Sequence, residues 1–126
     1  MADDQFALYG RGTHMFAGLP VRNFGISLEW YQRFLGSSPN FYPNDTEAVW
    51  LIAEYRWIYI IVDPKRAGGA IQTIMCSDLE TMIAEISKRG IDFSDEERPA
   101  EGVRKVIYYD PDGNEIGLGS IPPEEE

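Results

Sequence analysis

One order of elements occurs twice along this chain, and that repetition restricts the fold more than any composition figure. In the first pass Met15 to Val21 is a short apolar run with Gly and Pro, compatible with a strand. Asn23 is placed as a helix N-cap. Phe24, Leu28, Tyr31 and Leu35 follow at i, i+4, i+7 and i+11, one face of a helix that Gly36 ends. Pro39 to Asn44 is turn-rich and semi-extended. Ala48 to Ala53 and Trp57 to Val62 are strand-like, and Glu54-Tyr55-Arg56 is short enough to join them as a hairpin. The second pass starts with a strand from Ala70 to Cys76. Ser77 and Glu80 read as a capping box. Leu79, Met82, Ile83 and Ile86 form the apolar face of a helix that Gly90 ends. Ile91 to Phe93 opens a weak strand and Val103 to Tyr109 is a strong one. Asp110-Pro111-Asp112-Gly113 is a tight turn with proline at its second position. Asn114 to Ser120 returns as the last strand, and Trp57-Ile58-Tyr59-Ile60 matches Glu115-Ile116-Gly117-Leu118.

The expected class is therefore α+β, with two βαβββ modules in tandem. The helix of each module must lie on one face of its sheet, which leaves the other face free to curve around a ligand. Two such curved mixed sheets make a cup-shaped cleft between the halves, where binding sites tend to form. A chain of 126 residues suits one domain. Its expected span is 15–121, with modules 15–67 and 68–121 and the linker-like Asp63 to Gly69 between them. Residues 1–14 read as an N-terminal extension, a leader or a tag remnant ending at His14-Met15, and 122–126 as a solvated acidic tail.

Charge narrows the partners. Lys and Arg number 11 against 21 Asp and Glu, a net charge of -10, which repels phosphate backbones and anionic lipid. Nucleic acid and membrane are accordingly not expected, and no apolar run approaches the roughly 18 residues of a membrane span. The lone cysteine, Cys76, makes no intramolecular disulfide, and the start Met-Ala-Asp-Asp has no export signal. The expected setting is the cytoplasm.

Certain segments, in this order, carry a likeness. They are Leu19-Pro-Val-Arg-Asn-Phe24, Trp30-Tyr31-Gln-Arg-Phe-Leu-Gly36, Ser77-Asp-Leu-Glu80, Lys88-Arg-Gly90 and Asp110-Pro-Asp-Gly-Asn114. Over roughly residues 15–120 the chain resembles the vicinal oxygen chelate superfamily, which includes glyoxalase I, the bleomycin-resistance proteins and the extradiol dioxygenases. The likeness implies paired βαβββ modules around a pocket and, in the metal enzymes, four His, Glu or Gln ligands from the first and last strand of each module. Counting from the helix openings and the Asp110 turn puts three of those positions at Phe16, Ile71 and Gly117, and the internal repeat puts the fourth at Tyr59. These side chains do not make such a metal site. In neighbouring registers only Gln72 could ligate, and His14 lies two residues before Phe16 on the same strand face. The likeness also implies a homodimer, since members with one pair of modules build their clefts from two chains, sometimes by exchanging strands.

In place of a metal, alternation along the strands gathers an apolar and aromatic wall. The candidate ligand-binding residues are Phe16, Trp50, Trp57, Tyr59, Ile71, Thr73 and Gly117, with room above the glycines for a planar or cationic compound. No cofactor is expected and no catalytic residue is assigned. The leading functional expectation is a metal-independent small-molecule binder, similar in type to the antibiotic-sequestering proteins. Its alternative is a glyoxalase-like lyase, isomerase or dioxygenase with a non-standard site. A pocket tyrosine from the pair Tyr108 and Tyr109, with Glu115, could then serve as acid or base.

Overall fold

A computed structural model describes residues 8–121. The first module comprises β1 (Met15–Val21), α1 (Phe24–Leu35), β2 (Phe41–Asn44), β3 (Glu47–Ala53) and β4 (Arg56–Val62). The second comprises β5 (Ile71–Cys76), α2 (Leu79–Lys88), β6 (Asp95–Ala100), β7 (Val103–Tyr109) and β8 (Glu115–Ser120). Each module is an open four-stranded sheet, ordered β1-β4-β3-β2 (sheet A) and β5-β8-β7-β6 (sheet B). In each sheet the first strand runs parallel to the last, as a crossover through a helix requires, and the remaining pairs are antiparallel hairpins. The expected class and the tandem modules are what the chain adopts. The 1–7 part of the expected extension and the 122–126 tail lie outside the described residues.

The sheets put their alternate residues to opposite sides. One side carries Leu19, Val21, Ile58, Ile60, Trp50, Val106, Tyr108, Ile116 and Leu118, all buried. These residues join Trp30, Tyr31 and Phe34 of α1 and Leu79 and Ile86 of α2 in one core that both modules share. Each such side chain contributes about 1.5–3 kcal/mol by leaving water. The buried stripe of α1 is Ser27, Trp30, Tyr31 and Phe34, turned from the expected one; Phe24, Leu28 and Leu35 are half-buried at its flanks. The turn arises because α1 touches its own sheet and also the second module, where Phe34 meets Tyr108 edge-on at 5.0 Å.

Three local expectations are corrected. The edge strand of sheet B is Asp95–Ala100, and Ile91 to Phe93 is not in a strand. The edge is held by charge: the Arg104 guanidinium binds Glu96 at 2.9 Å and Glu80 of α2 at 2.6 Å. Those two carboxylates raise the Arg104 pKa. With Glu80 so engaged, the cap of α2 is Asp78, whose side chain accepts the Thr81 backbone N–H, and no Ser77 box forms. The span from Asp63 to Gly69 is a set of hydrogen-bonded turns, with Arg66 N–H donating to Asp63 O and Gly69 N–H to Arg66 O.

That span is also pinned from outside. The Asp110-Pro-Asp-Gly-Asn114 turn closes the β7–β8 hairpin and at the same time ties the modules together. The buried Asp110 carboxylate accepts from Tyr31 Oη of α1 at 2.8 Å, from Asn114 Nδ2 at 2.8 Å, and from the backbone N–H groups of Asp112 and Asn114. Asn114, fully buried, accepts from Gly68 and Ala70 N–H and donates to Pro20 O. Asp112 takes the backbone and guanidinium N–H groups of Arg22 at 3.2 Å. Gly68 has φ +91°, and a Cβ there would stand 2.5 Å from Asp112 O, so only glycine fits.

Candidate functional site

The face of sheet A opposite the core is built by β1, β4 and β3 in register. Phe16 lies beside Trp57, Gly18 beside Tyr59, Val49 beside Tyr59 and Leu51 beside Trp57. Their rings organise one another. Phe16 stacks on Trp57 at 5.2 Å with 7° between planes, and Phe41 of β2 meets Trp57 edge-on at 5.9 Å. The indole N–H of Trp57 donates to His14 Nδ1 at 2.8 Å, and His14 meets Tyr55 edge-on at 4.9 Å. His14, which is exposed, is thus an end member of this aromatic array. Tyr59 lays its ring across Gly18, where a Cβ would come within 2.7 Å of Cζ and Oη. Between Phe16 and Tyr59 opens a recess of about 300 Å³, lined also by Phe41, Pro43, Val49 and Glu47.

The matching face of sheet B is different chemically. It carries Ile71, Thr73 and Met75 on β5, Glu115, Gly117 and Gly119 on β8, and Lys105, Ile107 and Tyr109 on β7. The space above its glycines is already taken. A Cβ on Gly117 would meet Lys105 Cε at 2.5 Å, and one on Gly119 would meet Met75 Sδ at 2.7 Å. The glycines allow these long side chains to lie flat on the strand, and the expected room above them is filled. Lys105 Nζ stands 3.8 Å from Glu97. Tyr108 points to the core and Tyr109 outward, where its hydroxyl is 3.5 Å from Asp95. Lost hydration, then the charges of Asp95 and Glu115, raise the Tyr109 phenol above its ordinary range.

The expected site residues therefore divide. Phe16, Trp57 and Tyr59 come together on sheet A; Ile71, Thr73 and Gly117 come together on sheet B. The two sheets are not closed into one cup within the chain, and the recess is lined by sheet A alone. The outward faces are open: Phe16 is 47% exposed and Ile71 69%. Trp50 does not join them. Its register partner is Ile58, so it lies on the core side, 2% exposed, with its indole N–H bound to Ser37 O. A broader groove of about 1140 Å³ on the core side runs between the β3–β4 hairpin and β5 with α2. It touches Trp50, Trp57 and Thr73 but none of Phe16, Tyr59, Ile71 and Gly117.

The superfamily's metal does not fit these residues. At the four counted positions the side chains are an aromatic ring, a phenol, an aliphatic chain and a hydrogen, and Lys105 brings an ammonium onto Gly117. Gln72 lies in register with the buried Ile116, and its Nε2 reaches Gly18 O at 3.4 Å. Among the described residues no three His, Cys, Asp or Glu side chains gather where they could hold a metal ion. Burial first, then Asp78, raises the Cys76 thiol pKa, which disfavours its thiolate. No helix among the described residues is long and apolar enough to cross a membrane.

Residues that the sequence reading left out are Phe41, Pro43, Val49, Glu47 and Lys105. Alternation groups Glu47 and Val49 with Leu51, but only the hairpin register puts that face of β3 beside Tyr59. Lys105 could have been suspected from Gly117 and Gly119, since a strand with glycine at successive positions of one face calls for a large neighbour across it.

Two βαβββ modules that share a core on their helix side and leave the opposite sheet faces open define a protein of the vicinal oxygen chelate type. The comparisons agree. A crystal structure of a glyoxalase / bleomycin resistance protein from Catenulispora acidiphila superposes with a TM-score of 0.84 at 46% identity, covering 87% of this chain and 99% of that one. A bleomycin-binding protein complexed with bleomycin gives a TM-score of 0.67 at 20% identity, over 88% and 98%. Lactoylglutathione lyase from Agrobacterium tumefaciens gives 0.67 at 16%, over 88% and 95%. No family model and no curated protein matches the chain. The chain belongs to the glyoxalase / bleomycin resistance protein family, within the vicinal oxygen chelate superfamily.

Proposed function

We propose that this chain is a non-catalytic member of its family that binds and sequesters a small organic compound without a metal ion. The observation that carries the reading is the replacement of a donor set by an aromatic recess. Phe16 and Tyr59 stand at two of the four counted positions and form walls of a space large enough for a ligand group. Sequestration needs a fitted surface and no reacting group. The neighbour that holds bleomycin lends the reading support by fold, though at 20% identity it says nothing of the compound.

The working unit is a homodimer. Phe16, Phe41, Leu51, Ile71, Met75 and Tyr109 are large apolar side chains left exposed on the outward faces, and such patches mark contact surfaces. A second copy laid on these faces would complete a cleft over the recess. The setting is a reducing compartment such as the cytoplasm, because Cys76 has no cysteine to pair with in the chain.

The test is a melting-temperature panel on chelator-treated protein with planar, cationic and neutral compounds, bleomycin among them. A compound at about 100 times its dissociation constant stabilises by roughly 2.7 kcal/mol, which moves the midpoint by on the order of 10 °C. Such a shift, saturable and unaffected by chelator, is the expected result. Stabilisation that appears only after a divalent metal is restored would overturn the reading.

A further inference from the structure

The recess of sheet A is chemically uneven. Phe16, Phe41, Tyr59, Val49 and Pro43 give it apolar walls, and Glu47 brings a carboxylate to the same space. Glu47 shares the outward face with Val49 by alternation along β3, and lies in register with Ile61 of β4. Asn44 Nδ2 donates to Glu47 Oε1 at 2.6 Å, which fixes the carboxylate. Among the described residues no lysine or arginine forms an ion pair with Glu47, whereas Arg22, Arg33, Arg66, Arg98 and Arg104 all pair with carboxylates. An unneutralised carboxylate beside aromatic faces attracts a cation twice over, by its charge and through the quadrupoles of the rings.

Resting on the reading of the chain as a small-molecule binder, we infer that this recess binds a flat, positively charged ring, an aromatic with a quaternary or protonated nitrogen. Its rings lie against Phe16 and Tyr59 and its charge faces Glu47. A neutral ring of the same shape buries the same apolar surface but leaves Glu47 unpaired. A flat anion meets both Glu47 and a net charge of -10. About 300 Å³ holds one or two fused rings, so the recess takes the flat cationic part of a ligand and not the whole of a large one.

Three probes of one shape test this: N-methylquinolinium, 4-methylquinoline at a mildly alkaline pH where it is uncharged, and 2-naphthoate. Dissociation constants come from calorimetry on the full-length protein, its fold and assembly checked by circular dichroism and gel filtration. The cation binds roughly ten-fold more tightly than the neutral ring, and the anion is weakest. Glu47→Gln, a near-isosteric change at a strand start, brings cation and neutral ring to within about two-fold, while Phe16→Ala weakens both. Equal binding of cation and neutral ring, or a preference undiminished by Glu47→Gln, overturns the inference. Binding indifferent to both substitutions places the ligand elsewhere, which removes this inference and leaves the binder reading standing. If no flat ring of any charge binds, the inference falls, and the binder reading is then judged by the melting panel.

Discussion

Tyr31 and Tyr108 are both buried tyrosines, and replacing each by phenylalanine should have opposite consequences. Tyr31 Oη donates to the buried Asp110 carboxylate at 2.8 Å. Tyr108 Oη is buried with no hydrogen-bond partner among the described residues. In Tyr31→Phe the carboxylate keeps three of its four donors, Asn114 Nδ2 and the N–H groups of Asp112 and Asn114. A hydrogen bond to a charged group is worth about 1.5–3 kcal/mol, so a loss near 2 kcal/mol is expected. For a domain of this size that lowers the melting midpoint by roughly 8 °C. Tyr108→Phe removes a desolvated hydroxyl that has nothing to lose, and should be neutral or stabilising by up to about 1 kcal/mol. The assay is urea unfolding of both variants beside the parent. The pH dependence sharpens it. Burial first, then Asp110, raises the Tyr31 pKa, so the stability it confers is present below the unfolded phenol pKa near 10 and declines as pH rises above it. The gap between parent and Tyr31→Phe should therefore narrow above about pH 10. If Tyr31→Phe is no more destabilising than Tyr108→Phe at neutral pH, the view of the Asp110 turn as the tie between modules is wrong.

Other consequences are open to measurement. Gly68→Ala should cost about 2 kcal/mol or more, because it meets both a left-handed backbone and Asp112 O; urea unfolding would show it, and a loss below about 0.5 kcal/mol would contradict that geometry. Cys76 should exchange slowly with a chromogenic disulfide at neutral pH, forming a mixed disulfide and releasing the coloured thiolate, its rate still climbing beyond the ordinary thiol pKa of about 8.5; a rate that levels off at or below that pH would contradict the raised pKa.

Much of the fold was legible because its parts are amphipathic and capped. The Asn23 cap and the alternating runs of β1, β4, β5, β7 and β8 needed no knowledge of distant residues. The edge strand β6 was not legible. Asp95, Glu96, Glu97, Arg98 and Pro99 have neither apolar alternation nor strand propensity, and the strand is stabilised by Arg104 on the neighbouring β7. The turn of the α1 stripe toward Trp30 and Phe34 also depended on a partner far along the chain, Tyr108.

The site was legible only in part for a related reason. Alternation correctly gathers Phe16, Trp57 and Tyr59, because β1 and β4 pair in the register that their repeat implied. It cannot say which face of β3 shares their side, since that depends on the register across a hairpin. Trp50 and Val49 exchange places with a shift of one residue, and the structure puts Val49 beside Tyr59. Nor can glycine positions say whether the space above them is empty. Lys105 and Met75 come from other strands to fill it. The Asp110-Pro-Asp-Gly-Asn114 segment reads as a turn from its own residues, while its role as a tie lies in Tyr31, Arg22 and Gly68, far away in sequence.

The claim most at stake is that a family fold has kept its sheet faces and given up its metal donors. Elemental analysis tests it most directly: chelator-stripped protein is equilibrated with Ni(II), Zn(II), Mn(II) or Fe(II), separated from free ion by gel filtration, and its metal content measured per chain. The account predicts well below one metal per chain for every ion. One retained ion per chain, lost when Tyr59 is changed to Phe or Gln72 to Ala, would contradict it and return the sheet faces to metal chemistry.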